Sequence, residues 1–454
     1  FHGRIFDQLG FQTYQSPTAS IAELIANAWD ADAKEVHVYL PDLIDATSEI
    51  IVSDIGAGMT FDECQAKYLN VGWNKRGGDL RAKSPGGRPL LGRKGIGKFA
   101  GFGIADIVRV ETISEETGEE TIFEMNQDIL RGDTYMEQGG ELNAQYSPPD
   151  DSRKSKHGTK IILKSLNLAR AISKTAFPRS MSRKYLLHQQ ADDFKIFVDD
   201  KPIPTSEDYG KIEFVFPRNY KNDEKPDGLS MEGEWGIETL SDGNKIKWKV
   251  QFFKDTINEE ELQGVSIFCK GKLSQTPFFF NLTGGLGGQH GQAYMSGQVQ
   301  ADYIDEMKID PIGAERQRIN FSIPETISLQ DWGRERVKQL LIIWKNLRGE
   351  KRRNDLIEKM AGFSDRLEKL GNSEKRIVET VLKKLGGITT LSDDQYDDLG
   401  NAILTSWEGG RLKGIMEKYA ESDGFSEEDF LSILMETEVI SALHVAESIK
   451  TKLL

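Results

Sequence analysis

Cysteine and histidine are scarce in this chain, and their scarcity removes whole classes of chemistry. The two cysteines, Cys64 and Cys269, make neither a disulfide framework nor a thiolate metal cluster, so a reducing, cytoplasmic compartment is the simplest expectation. The six histidines are scattered without ligand spacing. Long apolar runs are also missing: the longest near the helices, Leu340 to Trp344, falls far short of a membrane span, no secretory segment is visible, and no membrane association is expected. An initiating methionine is lacking too, and a trimmed or partly observed N-terminus is expected ahead of Phe1. Nor is there an excess of positive charge. A net charge of −14 argues against a protein that coats nucleic acid with its whole surface, although a local basic groove stays compatible with it. What remains, 454 residues at 38% hydrophobic content, suffices for two or three domains with real cores.

One stretch, Ser20 to Ala31, carries polar residues that packing and solubility do not explain. At about 100° per residue, Glu23, Asn27 and Asp30 share a narrow stripe, while Ile21, Leu24, Ile25, Ala28 and Trp29 fill the opposite face. A helix so patterned buries one side and aims an acid and an amide from the other. The amide oxygen of Asn27 can ligate Mg²⁺, and the carboxylate can take a proton from an attacking water.

Two strand-like runs follow, residues 35–40 and 49–53, and the second ends directly in Asp54-Ile-Gly-Ala-Gly-Met59. A carboxylate at a strand end beside open glycine backbone suits an adenine, whose amine needs an acceptor and whose flat ring needs close approach. Further on, Gly92-Arg-Lys-Gly-Ile-Gly-Lys-Phe99 offers glycines and cations to a phosphate chain, with an apolar segment behind it that could present a helix N-terminus. It is not a P-loop, because Phe99 stands where a Mg²⁺-binding Ser or Thr is required. Nor is it a dinucleotide fingerprint, because the loop of residues 83–89, not a strand, precedes it.

In this order the motifs resemble those of the GHKL ATPases: the DNA gyrase B subunit, the large heat-shock chaperone of that group, histidine kinases, MutL and MORC proteins. Glu23, Asn27 and Asp30 match the N box, Asp54, Gly56 and Gly58 the G1 box, and Gly92, Gly95 and Gly97 the G2 box. Thr159, in the run of residues 157–163, matches the family's core-strand threonine. The resemblance implies ATP and Mg²⁺ as cofactors, Glu23 as general base, Asn27 as metal ligand and Asp54 as adenine reader. Met59 and Lys98 join the implied nucleotide contacts, Lys98 also stabilising transferred charge.

The likeness further implies an α+β protein. A Bergerat-type sandwich ATPase domain is expected over residues 1–166, a mixed α/β transducer-like domain over 167–323, and a helical region over 324–454 that continues into a downstream domain. Residues 77–97, rich in Gly, Pro, Lys and Arg, read as a lid that is mobile until triphosphate orders it. The transducer's basic residue is sought in the loop before residue 320, where Arg316 is preferred and Arg318 is the alternative. Ser322 to Glu325 reads as a capping box opening a helix. That helix carries a basic stretch, residues 334–353, which is either a solvated face or a contact for nucleic acid or an acidic partner.

The function so implied is Mg²⁺-dependent ATP hydrolysis coupled to lid closure and homodimerisation of the ATPase domains. It would act on a protein partner or downstream effector, by analogy with MORC-like and chaperone-like bacterial ATPases in defence against phage. A nucleotide-gated scaffold with negligible turnover and a histidine-type protein kinase are the alternatives.

Overall fold

Pro17, whose ring presets φ for a first helical turn and whose missing N–H is not needed there, opens helix α1, Pro17–Asp30. In the computed structural model, residues 16–410 are described apart from 71, 74, 94, 132–141, 188–192, 205–209, 260–261, 283–290 and 314–316. The apolar face of α1 is buried as its periodicity requires: Ile21, Leu24, Ile25, Ala28 and Trp29 all lie in the first hydrophobic core.

That core rests on an eight-stranded sheet. Its strands are β1 (Glu35–Tyr39), β2 (Ile50–Asp54), β3 (Ala105–Ile113), β4 (Glu120–Asn126), β5 (Ala144–Ser147), β6 (Gly158–Leu166), β7 (Lys195–Val198) and β8 (Lys201–Pro202). The order is β5-β4-β3-β6-β2-β1-β7-β8. The β1/β7 pair is parallel, and β2 lies antiparallel to both β1 and β6. Alternate residues of these strands, among them Val36, Val52, Val110 and Leu163, point at α1 and its neighbours.

The sheet runs on past residue 166, the expected domain boundary. Helix α2, Ala176–Lys184, packs Phe177 and Met181 into the first core, and β7 adds Ile196 and Val198 to it. The hydroxyl of Tyr185 donates to the carbonyl of Ala22. Period-two alternation reports that a strand has one buried face, not which sheet it joins, so β7 was expected among the strands of the second domain.

The second unit is a seven-stranded mixed sheet of β9 (Ile212–Phe216), β10 (Ser230–Glu232), β11 (Trp235–Thr239), β12 (Lys245–Phe253), β13 (Gly264–Cys269), β14 (Lys272–Phe278) and β15 (Met295–Gln300). Helix α3, Pro324–Lys359, lays Leu329, Val337, Leu340 and Trp344 on this sheet. Its other end reaches the third core, where Leu356 meets α4 (Phe363–Glu368), α5 (Asn372–Gly386) and α6 (Asp393–Glu408). An N-terminal α/β domain is thus followed by mixed α/β and helical regions.

One expectation for α3 changes. Its N-cap is Ile323 with no side-chain cap bond, so Ser322 to Glu325 does not close a capping box. Part of its basic stretch is paired or buried, while Arg334 and Lys338 stay exposed. Arg336 pairs with Glu238, Lys351 with Glu213 at 2.7 Å, and Arg352 with Asp393 at 2.9 Å. Arg348 is buried over the ring of Tyr294. Removing such cations from water is costly unless anions or rings meet them, and here they do.

Candidate active site

Helix α1 aims its three polar residues at one cavity of about 380 Å³, within the range of small-molecule sites. Glu23 Oε1 accepts from Lys272 Nζ at 2.8 Å, and Lys272, on β14 of the second sheet, is only 4% exposed. A Cβ on Gly97 would stand 2.8 Å from Glu23 Oε2, so glycine there gives the carboxylate its room. Asn27 Oδ1 accepts from Lys75 Nζ at 3.3 Å. Asp30 is buried and accepts from the Leu91 and Gly92 amides at 2.7 and 3.0 Å and from Lys75 at 3.3 Å. Its carboxylate therefore pins the start of the glycine loop.

At the strand end, register places Asp54 opposite Thr159 across β2 and β6. Asp54 Oδ1 accepts the Gly56 amide at 2.8 Å, tightening the turn. Gly56 must be glycine because a Cβ would sit 2.6 Å from the Ala31 carbonyl oxygen, and Gly58 has φ +63° with the Ile113 carbonyl where a Cβ would go. Met59 N–H donates to Thr112 Oγ1 at 3.0 Å, and Thr112 in turn meets the Gly158 carbonyl and Thr159 Oγ1, each at 3.1 Å. His157 Nδ1 lies 2.6 Å from the Gly56 carbonyl oxygen. Burial pushes the Asp54 carboxyl up to about 6, against the pull of the Gly56 and Thr159 amides and of His157.

The glycine loop closes the third side. Gly95 has φ +67° and passes so close to the Trp73 carbonyl that no Cβ fits. Lys98 is the second residue of a 3₁₀ helix, Gly97–Gly103, not of an α-helix, so this segment presents no regular helix N-terminus to the cavity. Its ammonium donates to the carbonyls of Lys67 and Asn70, both at 2.6 Å. Burial, aided by nearby Lys75, lowers its pKa to about 8.

Around the cavity stand Glu23, Asn27, Asp30, Asp54, Gly58, Met59, Gly92, Gly95, Gly97, Lys98 and Thr159, with Gly56 just behind Asp54. The second domain adds Asp310, Ile312 and Gly313 to the wall. Arg316 lies outside the described residues; Arg318 is exposed and is not in the wall. Sequence reasoning missed Lys272, Thr112, His157 and Lys75. Only His157, two residues before Thr159, had a local signal. Among the described residues no three His, Cys, Asp or Glu side chains cluster as a metal nest. The site nonetheless fits a hard cation, because the Lys75 ammonium already rests between the Asn27 and Asp30 oxygens, a donor pair suited to an ion that takes its other ligands from phosphate and water.

Asp54 yields a first prediction. Its raised folded-state pKa means that the ionised carboxylate costs stability above about pH 6, a cost that fades as pH falls towards 3.8. Asp54→Asn keeps the acceptor for Gly56 and removes that cost, up to about 3 kcal/mol. Calorimetry of the ligand-free protein should show a higher Tm than wild type at pH 8 and converging values near pH 4. An equal or lower Tm at pH 8 would contradict the assigned burial.

Residues 14–159 match the family described as histidine kinase-, DNA gyrase B-, and HSP90-like ATPase. A curated protein of Herpetosiphon aurantiacus, described as "Putative type II restriction enzyme HgiDII", is 27% identical over 364 residues, covering 78% of this chain. The aligned part is 57% of that relative, so the chain spans little more than half its length. Because the family match falls on the same helix, strand end and glycine loop that wall the cavity, residues 14–159 are a domain of the histidine kinase, gyrase B and HSP90-like ATPase superfamily.

Proposed function

We propose that the cavity binds Mg²⁺-ATP and that the protein hydrolyses it, using the cycle to control a partner or effector. The observation that carries this reading is the contact of Glu23 with Lys272, a carboxylate and a second-domain cation meeting beside the cavity that Asp54 also lines. Asp54 would accept from the adenine amine. Glu23 would take the proton of the attacking water once Lys272 leaves it for a γ-phosphate oxygen, where its charge matches what develops in the transition state. Asn27 would supply an oxygen to Mg²⁺, which when bound neutralises phosphate charge. Lys98, turning from the carbonyls of Lys67 and Asn70, would add a second cation. Lys272 thus takes the role first sought in Arg316.

ATP-dependent pairing of two ATPase domains belongs to the same proposal, as does a place in defence against foreign DNA. The name of the Herpetosiphon relative supports the latter. A nucleic-acid or acidic-partner contact through residues 334–353 would rest on the exposed Arg334 and Lys338, since Arg336, Arg348 and Arg352 are turned inward.

Two outcomes test the chemistry. Glu23→Ala should bind ATP about as wild type does while its turnover falls about 10²–10⁴-fold; unchanged turnover would remove Glu23 from the base's role. Nucleotide affinity should be bell-shaped in pH. It weakens below about 6 as Asp54 takes a proton, and above about 8 as Lys98 loses one. A titration series flat from pH 5 to 9 would show that neither group contacts the ligand.

A further inference from the structure

Residues 75–93, which take in most of the expected lid and are called the lid below, hang between two sets of anchors. On the side of α1, Asp30 holds the Leu91 and Gly92 amides, and Asp32 holds the Ser84 hydroxyl at 2.5 Å and the Gly86 amide at 2.8 Å. Arg88 lies over the Trp29 ring at 4.5 Å and donates to the Ala33 carbonyl.

On the other side the anchors belong to the second domain. Arg76 donates to Asp305 Oδ2 at 2.7 Å, with both side chains almost fully withdrawn from water. The same Asp305 oxygen stands 3.3 Å from Lys270 Nζ, a residue of the turn between β13 and β14. The remaining donors of Arg76 reach back to the Leu90 and Gly92 carbonyls at 2.8 and 3.1 Å, so one guanidinium gathers both ends of the lid onto Asp305. Arg93 adds bonds to the main-chain carbonyls of Asp305 and Met307, at 3.1 and 2.6 Å.

A carboxylate shared by two buried cations holds only when all three are assembled, because any one of them alone is an uncompensated charge. Arg76 is therefore fixed by the second domain. Its chain neighbour Lys75 extends into the cavity and rests on Asn27 and Asp30.

We propose that the second domain latches the lid through Asp305, seating Lys75 on Asn27 and Asp30, so that a ligand fills the cavity only after this latch yields. The latch makes the second domain a gatekeeper of the site, and it operates whatever ligand the site takes.

Amide hydrogen exchange on the whole chain without nucleotide tests it. In Asp305→Asn, residues 76–83 should exchange at least about tenfold faster, while residues 84–92, held by Asp30 and Asp32, keep their protection. Arg93→Ala, which removes the carbonyl contacts without leaving Arg76 and Lys270 unpaired, should do the same to a smaller degree and decides the matter if Asp305→Asn fails to fold. A folded variant with wild-type exchange over 76–83 overturns the latch. Stopped-flow binding of a fluorescent ATP analogue should then show faster association in the variants than in wild type. An unchanged rate despite faster exchange would overturn the claim that the latched lid limits entry, whereas absence of any binding to wild type would count against the nucleotide reading and leave the exchange result standing.

Discussion

A carboxylate and an ammonium far apart in the chain meet at Glu23 and Lys272, 249 positions apart in sequence. Lys272 is almost wholly removed from water, a position a lysine holds only with a partner. Breaking such a pair from one side typically costs about 3–5 kcal/mol, so the two domains meet where their charges demand it. The consequence for chemistry is direct. The carboxylate proposed as the base is engaged by a cation, and under that proposal its release is tied to movement of the second domain or to a competing anion.

Two further anions extend this arrangement. Asp30 and Asp305 each collect donors from the lid, one for the first domain and one for the second. Glycine, proline and cations bury little, and in residues 75–93 the buried apolar side chains are Leu90 and Leu91; buried carboxylates that accept the segment's amides and guanidinium groups supply its other anchors. Fixing the lid in this way also fixes Lys75 and Arg93 in the cavity wall.

Much of the site was legible in the sequence because its local periodicities are strong. The stripe of Glu23, Asn27 and Asp30 follows from helical spacing, and the Asp54 turn follows from a strand running into glycines that backbone crowding makes necessary. Lys272 was not legible, since a lysine beginning a strand after a turn looks like any solvated residue until the fold brings it to α1. Thr112 reads as one more β-branched strand residue, and only its register against Thr159 and its bond to the Gly158 carbonyl reveal that it carries the Met59 turn. The basic run on α3 divides in a way its pattern does not reveal: Arg334 and Lys338 stay exposed, while Glu238, Glu213 and Asp393, distant in sequence, pair with Arg336, Lys351 and Arg352.

The central claim is that Lys272 leaves Glu23 for the terminal phosphate. Calorimetric titration of wild type and Lys272→Met with a non-hydrolysable ATP analogue and with ADP tests it most directly. Wild type should bind the triphosphate at least about tenfold more tightly than the diphosphate, worth about 1.4 kcal/mol. Lys272→Met should bind ADP as wild type does and lose that preference. A variant that keeps the full preference for triphosphate would contradict the account.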